Sequence, residues 1–232
     1  MTRRERLHAH TREEIKAVAR QQMAAQGTAA LSLAAIARQM ELTTPALYRY
    51  FADRDALVTA LIIDAFRSVA DSMEAAAENL PHQQYAERLV AVMGAYRAWA
   101  LRHPVDFQLI YGNPIPGYHA PADLTVPEVR RGAAVILTIL QAAYDAGALQ
   151  LSPGMAPPAD ILLRASDTWG AESALQPAVV FVCMTGWTRM HGIVMLELFN
   201  HLQPTIGDVG AFFHHELALF LRDIGLTPLN TS

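Results

Sequence analysis

Apolar residues in this chain recur every three or four positions almost from end to end, and no stretch alternates long enough to make a strand. Such a pattern buries helix faces against helix faces, so the expected fold is all-α. Ile15, Val18, Ala19 and Met23 mark one helix, expected from a Thr11 cap to Gln26 and stopped by Gly27. Ser32 is placed to cap a second, short helix carrying Leu33, Ile36, Ala37 and Met40 on one face. Thr43 caps a third, with Pro45 in the first turn, where the missing amide has no intrahelical partner. Phe51-Ala52-Asp53 ends it. A long helix is then expected over 53–79, up to Pro81. Further helices are expected at about 83–102, 104–111, 126–147, 158–168, 174–202 and 206–224, separated by Pro- and Gly-containing breaks.

With 52% hydrophobic and 17% charged residues in 232, the chain can bury a sizeable core, which excludes disorder for most of its length. Its single cysteine, Cys183, excludes a disulfide framework and any cysteine-based zinc site, and predicts a cytosolic protein. The longest uncharged stretch near the apolar centre, Ser173 to Thr188, carries Pro177 and Gly186 and argues against a membrane span; the basic start has no secretory pattern.

Charge is unevenly spread. Residues 1–54 hold nine basic and five acidic side chains, whereas the remainder holds nine basic and seventeen acidic ones. A basic head on an acidic body points to a polyanion met by the head alone.

The two short helices of that head are separated by about three residues, and Ile36, Ala37, Leu42 and Leu47 are spaced to close against each other as a helix-turn-helix. The exposed first turn of the third helix, Thr43-Thr44-Pro45, suits entry into a major groove: its small side chains let the backbone come close and its free amides face phosphate. Tyr48, Arg49, Tyr50 and Arg54 supply donors around it, while Leu47 and Phe51 are expected in the core.

The run from Ser32 through Ile36-Ala37, Leu42-Thr43, Pro45-Ala46-Leu47-Tyr48-Arg49-Tyr50-Phe51 and Arg54 to Leu57 resembles the DNA-binding domain of the TetR/AcrR family of bacterial regulators, over roughly residues 11–60. The resemblance implies that Thr43, Tyr48, Tyr50 and Arg54 hold phosphates and that Thr44, Pro45 and Arg49 lie nearest base edges, with Ser32 at the head of the motif. Two positions depart from the family. Glu41 stands in the turn where glycine is usual, so a left-handed backbone there would be strained. Tyr50 and Arg54 stand where histidine and lysine are frequent. The basic arm Arg3-Arg4-Arg6 is open to two readings, a minor-groove contact or a disordered tail.

In the body, the helix over 174–202 is apolar on three faces, and the last helix presents Val209, Phe212, Phe213, Leu217, Phe220, Leu221 and Ile224. A helix apolar all round is buried on every side, which in this context calls for a second copy of the chain. The segments Trp99–Tyr118 and Gly186–Glu197 resemble a TetR subfamily whose C-terminal domain contains a Trp/His/Gly signature. Trp99, Phe107, Tyr111, Trp169, Met184, Trp187 and His191 are the candidate lining of a cavity for an apolar or aromatic small molecule, although each of them taken singly also fits an ordinary core. The domains so read are 1–52 for DNA, 53–228 for ligand and dimerisation, and a tail over 229–232. The expected partners are double-stranded DNA, a small-molecule effector and a second copy of the chain, with no membrane.

No enzyme motif is found: Cys183 and His191 are eight residues apart on one helix, too far to form a nucleophile–base pair, and His214-His215-Glu216 has no metal-ligand spacing. The chain is expected not to be an enzyme and to need no cofactor. An all-α enzyme or metal-binding protein is the alternative reading, and a regulator answering to a protein partner or to oxidation of Cys183 is a second.

Overall fold

The computed structural model describes residues 2–152, 155 and 175–227. Among these, every regular element is helical: α1 (Arg3–Gln26), a 3-10 turn (Thr28–Ala30), α2 (Leu33–Gln39), α3 (Thr44–Tyr48), α4 (Arg54–Glu78), α5 (Tyr85–Arg102), α6 (Pro104–Tyr111), α7 (Ala122–Asp145), α8 (Pro177–Leu198), α9 (Gln203–Ile206) and α10 (Val209–Asp223). The helix expected over 158–168, Trp169 and the tail 229–232 lie outside the described residues. The chain forms two compact units, one from Met1–Ser68 with His103–Val129 and the other from Val69–Arg102 with Arg130–Ser232. Helices α4 and α7 each carry residues of both.

The first unit is built on the apolar stripes of its helices. Ile15, Ala19 and Met23 of α1 meet Leu33, Ile36 and Ala37 of α2, Leu47 of α3, Phe51, and Leu57, Val58 and Leu61 of α4, with Leu109 and Ile115 closing the cluster. Polar groups at its edge are paired. Arg20 of α1 donates to the buried Asp106 of α6 at 2.8 Å, and Lys16 reaches Asp64. Leu47 and Phe51 are core residues, as their spacing implies.

Two helix starts differ from expectation. Helix α1 begins at Arg3, with Thr11 in its interior. The side chain of Thr2 accepts from the Glu5 amide while the Glu5 carboxylate accepts from the Thr2 amide, a reciprocal cap. The stretch Arg3-Arg4-Arg6 is therefore helical, neither an extended arm nor a disordered tail. Helix α7 begins at Ala122, so Pro127 falls inside its first turns, beyond the opening position at which a proline is tolerated without loss of a bond.

In the second unit, Leu89, Met93, Tyr96 and Trp99 of α5 are buried, as are Ile136, Leu137, Ile139 and Leu140 of α7. So are Val179, Val180, Val182, Cys183, Met190 and Val194 of α8, and Val209, Phe213, Leu217, Phe220 and Leu221 of α10. By length and composition α8 could cross a membrane. Its charged residues are instead taken up inside the unit: Arg189 donates to Glu216 of α10, and the buried Glu197 accepts from Arg97 of α5. Among the described residues, one face of α8 finds no cover. Met184, Leu196 and, just past the helix end, Phe199 are exposed, Phe181 and Met195 are half-buried, and Thr188 and Gly192 lie between them. These positions fall on one 120°-wide side of the helix. The neighbouring face of α10 likewise leaves Phe212 and Leu219 half-covered beside Ala211 and Ala218.

Candidate functional site

The helix-turn-helix is assembled by local hydrogen bonds. Ser32 caps α2, its hydroxyl accepting from the Ala35 amide at 3.4 Å while its own amide donates to Gln22 of α1 at 2.7 Å. Thr43 caps α3, accepting from the Ala46 amide at 3.3 Å, and Pro45 sits in the first turn as its ring geometry allows. Between them, α2 closes by two overlapping bonds, Leu42 amide to Ala37 carbonyl at 2.9 Å and Glu41 amide to Arg38 carbonyl at 3.2 Å. That closure needs one residue in the left-handed region, normally glycine. Glu41 occupies it, at φ 55°. The same motif closes α8 at Asn200 and α7 at Gly147, residue types that adopt this region at lower cost.

A β-carbon in the left-handed region costs about 1–2 kcal/mol, part of which a glycine gives back through its freer unfolded chain. Glu41→Gly is therefore expected to raise stability by about 1 kcal/mol, read as a higher urea midpoint at unchanged slope, and Glu41→Asn by less. It also removes an anion from the turn that leads into α3, so affinity for any duplex should rise at low salt. A fall in stability for Glu41→Gly would show that the carboxylate contributes more than its backbone costs.

Around α3, Thr43, Pro45, Tyr48 and Arg49 are exposed, Tyr48 at 49%, and Thr44 and Tyr50 are half-buried. These six therefore lie within one eight-residue stretch and keep part of their surface open to solvent. Arg54 is engaged differently from the others: its Nε donates to the Leu31 carbonyl at 3.2 Å and its Nη2 to the Ala29 carbonyl at 3.1 Å. It ties the start of α4 to the turn before α2, a contact that joins residues 23 and 25 positions apart and that sequence spacing does not signal. Sequence reading also missed Arg12, which donates to the Tyr50 carbonyl at 2.6 Å and lies over the Phe51 ring at 4.1 Å.

Of the residues expected to line one cavity, Phe107 and Tyr111 belong to the first unit and Trp99, Met184, Trp187 and His191 to the second. Phe107 is fully buried in the first unit and packs on Tyr111, which in turn meets Phe66 edge-on. Trp99 is fully buried in the second unit. Met184 faces out from the uncovered side of α8. Trp187 and His191 stay together, their rings stacked at 4.5 Å, and the His191 Nδ1 lies 2.6 Å from the Tyr96 hydroxyl. Burial pushes the His191 imidazole below its ordinary pKa, so the ring is neutral near pH 7.

Trp187 also borders a cavity lined by residues of α5, α7, α8 and α10, with Met93, Leu140, Cys183, Met190 and Phe220 among its walls. At about 20 Å³ it has room for one water, and its walls are almost wholly apolar. Gly186 makes this packing possible: a β-carbon there would fall 2.6 Å from the Phe220 ring. Cys183 on the same wall has its thiol pushed up to about 12 by burial, which keeps it protonated and unreactive. Two regions thus stand out chemically, a polar and basic surface around α3 and an apolar interior beside Trp187.

Comparison with known proteins bears on both. Residues 15–61 match the family model of bacterial regulatory proteins, tetR family, and residues 89–220 match that of the tetracyclin repressor-like C-terminal domain. The HTH-type transcriptional regulator Rv1816 of Mycobacterium tuberculosis is 30% identical over 217 residues, covering 90% of this chain and 92% of its own length. The crystal structure of SCO4313, a proposed regulatory protein, is 36% identical with a TM-score of 0.80, covering 95% of this chain and 100% of that one. RolR, solved in complex with the ligand resorcinol, shares the fold at 17% identity and a TM-score of 0.53, covering 96% of this chain and 91% of its own.

Proposed function

Because the chain belongs to the TetR family of bacterial DNA-binding transcriptional regulators, we propose that it acts as a homodimeric repressor that binds a palindromic operator and leaves it when a small molecule enters its second unit. Residues 1–52 read DNA and residues 53–228 pair chains and bind the effector. The observation that carries the DNA half of this reading is the solvent-open first turn of α3, flanked by exposed Tyr48 and Arg49. In it Thr43, Tyr48 and Tyr50 hold phosphates and Thr44, Pro45 and Arg49 approach bases. Arg54, with its guanidinium on two carbonyls, orients the motif and reaches phosphate only with what remains free of it.

The uncovered apolar face of α8 beside that of α10 supports the dimer, since a second copy meeting it by twofold symmetry would form a four-helix seam. Two recognition helices then lie about 34 Å apart, one turn of duplex. For the effector, the apolar walls beside Trp187 favour a small aromatic or aliphatic molecule, and RolR, which shares the fold, was solved with the ligand resorcinol. The cavity must widen to accept it, and α4, which carries both Arg54 and residues of the second unit, is the element able to pass that change to the DNA-binding motif. The effector has to favour one of the two states, or nothing moves.

Selection of duplexes from a random library tests the reading. Enrichment of an inverted repeat is expected, and Tyr48→Phe, which removes only a hydroxyl from an exposed ring, should bind the selected duplex about tenfold more weakly. Failure to enrich any duplex, or equal affinity for Tyr48→Phe, would refute it.

A further inference from the structure

The first turns of α1 bury nothing. Every residue from Arg3 to His10 is exposed, Leu7 at 67%, and the first buried side chain is Ile15. A helical stretch without an apolar contact is marginal in water, so its persistence needs a cause. The reciprocal cap at Thr2 and Glu5 is one. The other is a ring contact: His8 stacks on Tyr50 with centroids 4.6 Å apart and planes inclined by 26°. One turn further on, Arg12 donates to the Tyr50 carbonyl. Helix α1 therefore holds Tyr50 twice, its backbone through Arg12 and its ring through His8.

We propose that His8 is a positioning residue for Tyr50: the stacked imidazole fixes the phenol ring before DNA arrives, so that the hydroxyl meets a phosphate without first being ordered. The helical extension ahead of Ile15 serves to carry that ring. Ordering a free side chain on binding weakens a complex, and an aromatic stack made beforehand removes that cost. This inference rests on the reading of Tyr50 as a phosphate-binding residue.

The test uses the full chain and a duplex it has itself selected, titrated by fluorescence anisotropy at fixed salt with Tyr50→Phe, His8→Ala, His8→Phe and the double variant His8→Ala/Tyr50→Phe. Tyr50→Phe should weaken binding about three- to tenfold, and His8→Ala by a similar factor. Alanine is the better helix former, so the loss cannot come from helix propensity. His8→Phe keeps the stack without a ring nitrogen and should bind within about twofold of the unsubstituted chain. The double variant should be no weaker than Tyr50→Phe alone, because the two side chains act through one contact. Additive losses, or a loss in His8→Phe equal to that in His8→Ala, would overturn the proposal by showing that His8 meets DNA itself. If Tyr50→Phe is silent, the phosphate reading of Tyr50 fails and the positioning role with it. If Tyr50→Phe weakens binding and His8→Ala does not, only the positioning role fails.

Discussion

Gly192→Arg is expected to leave the chain folded and to abolish the proposed dimer. A β-carbon at Gly192 meets nothing within 4 Å among the described residues, and replacing a mid-helix glycine improves helix propensity. The same position lies at the middle of the uncovered side of α8, between Thr188 and Met195, where a twofold partner would bring a second helix close. A long cation there has no room in a seam and no counter-charge among Phe181, Met184 and Met195. Sedimentation velocity should report a monomer with unchanged helicity. Operator affinity should fall by about 100-fold or more, because each recognition helix would then bind without the other. A dimer that survives this change, with operator binding intact, would place the subunit contact elsewhere.

The second large effect concerns the ion pair between α5 and α8. Glu197 is 8% exposed and takes two hydrogen bonds from Arg97, whose guanidinium also lies 5.6 Å from the centre of the Phe213 ring. Glu197→Ala removes the carboxylate paired with the largely buried Arg97, and the cost of that is about 3 kcal/mol. For a chain of this size the melting temperature should drop by about 6–12 °C at constant protein concentration. The double variant Arg97→Met/Glu197→Leu should recover more than half of the loss, because it leaves no stranded charge. No recovery would mean that Glu197 acts through something other than Arg97.

What could be read from the sequence was set by how local the determinants are. Ser32, Thr43 and Pro45 announce the ends of α2 and α3 because a cap bonds to an amide three residues away. Leu47 and Phe51 announce the core because they repeat at helical spacing. Glu41 could be singled out because the turn it occupies fixes the sign of φ. The start of α1 was missed because apolar period was the guide and nothing before Ile15 is buried; the signal present was the Thr2-Arg3-Arg4-Glu5 capping pattern. The role of Arg54 and the hold of His8 and Arg12 on Tyr50 depend on contacts across 23 to 42 positions, which no spacing rule reaches. Which way each candidate lining residue points is not legible for a similar reason. Candidate lining residues near one another in sequence, such as Trp187 and Met184, leave a helix in different directions, and here one borders the cavity and the other turns to solvent.

Gly186 and Phe220 carry a consequence for how this interior can change over generations. An alanine at 186 with the phenyl ring unchanged is overpacked, and a shortened residue at 220 with the glycine unchanged enlarges a void. Each single step is penalised, while the paired exchange is not. The two positions should therefore drift together or not at all, and descendants with a reshaped interior would reach it through a correlated double substitution rather than a gradual one.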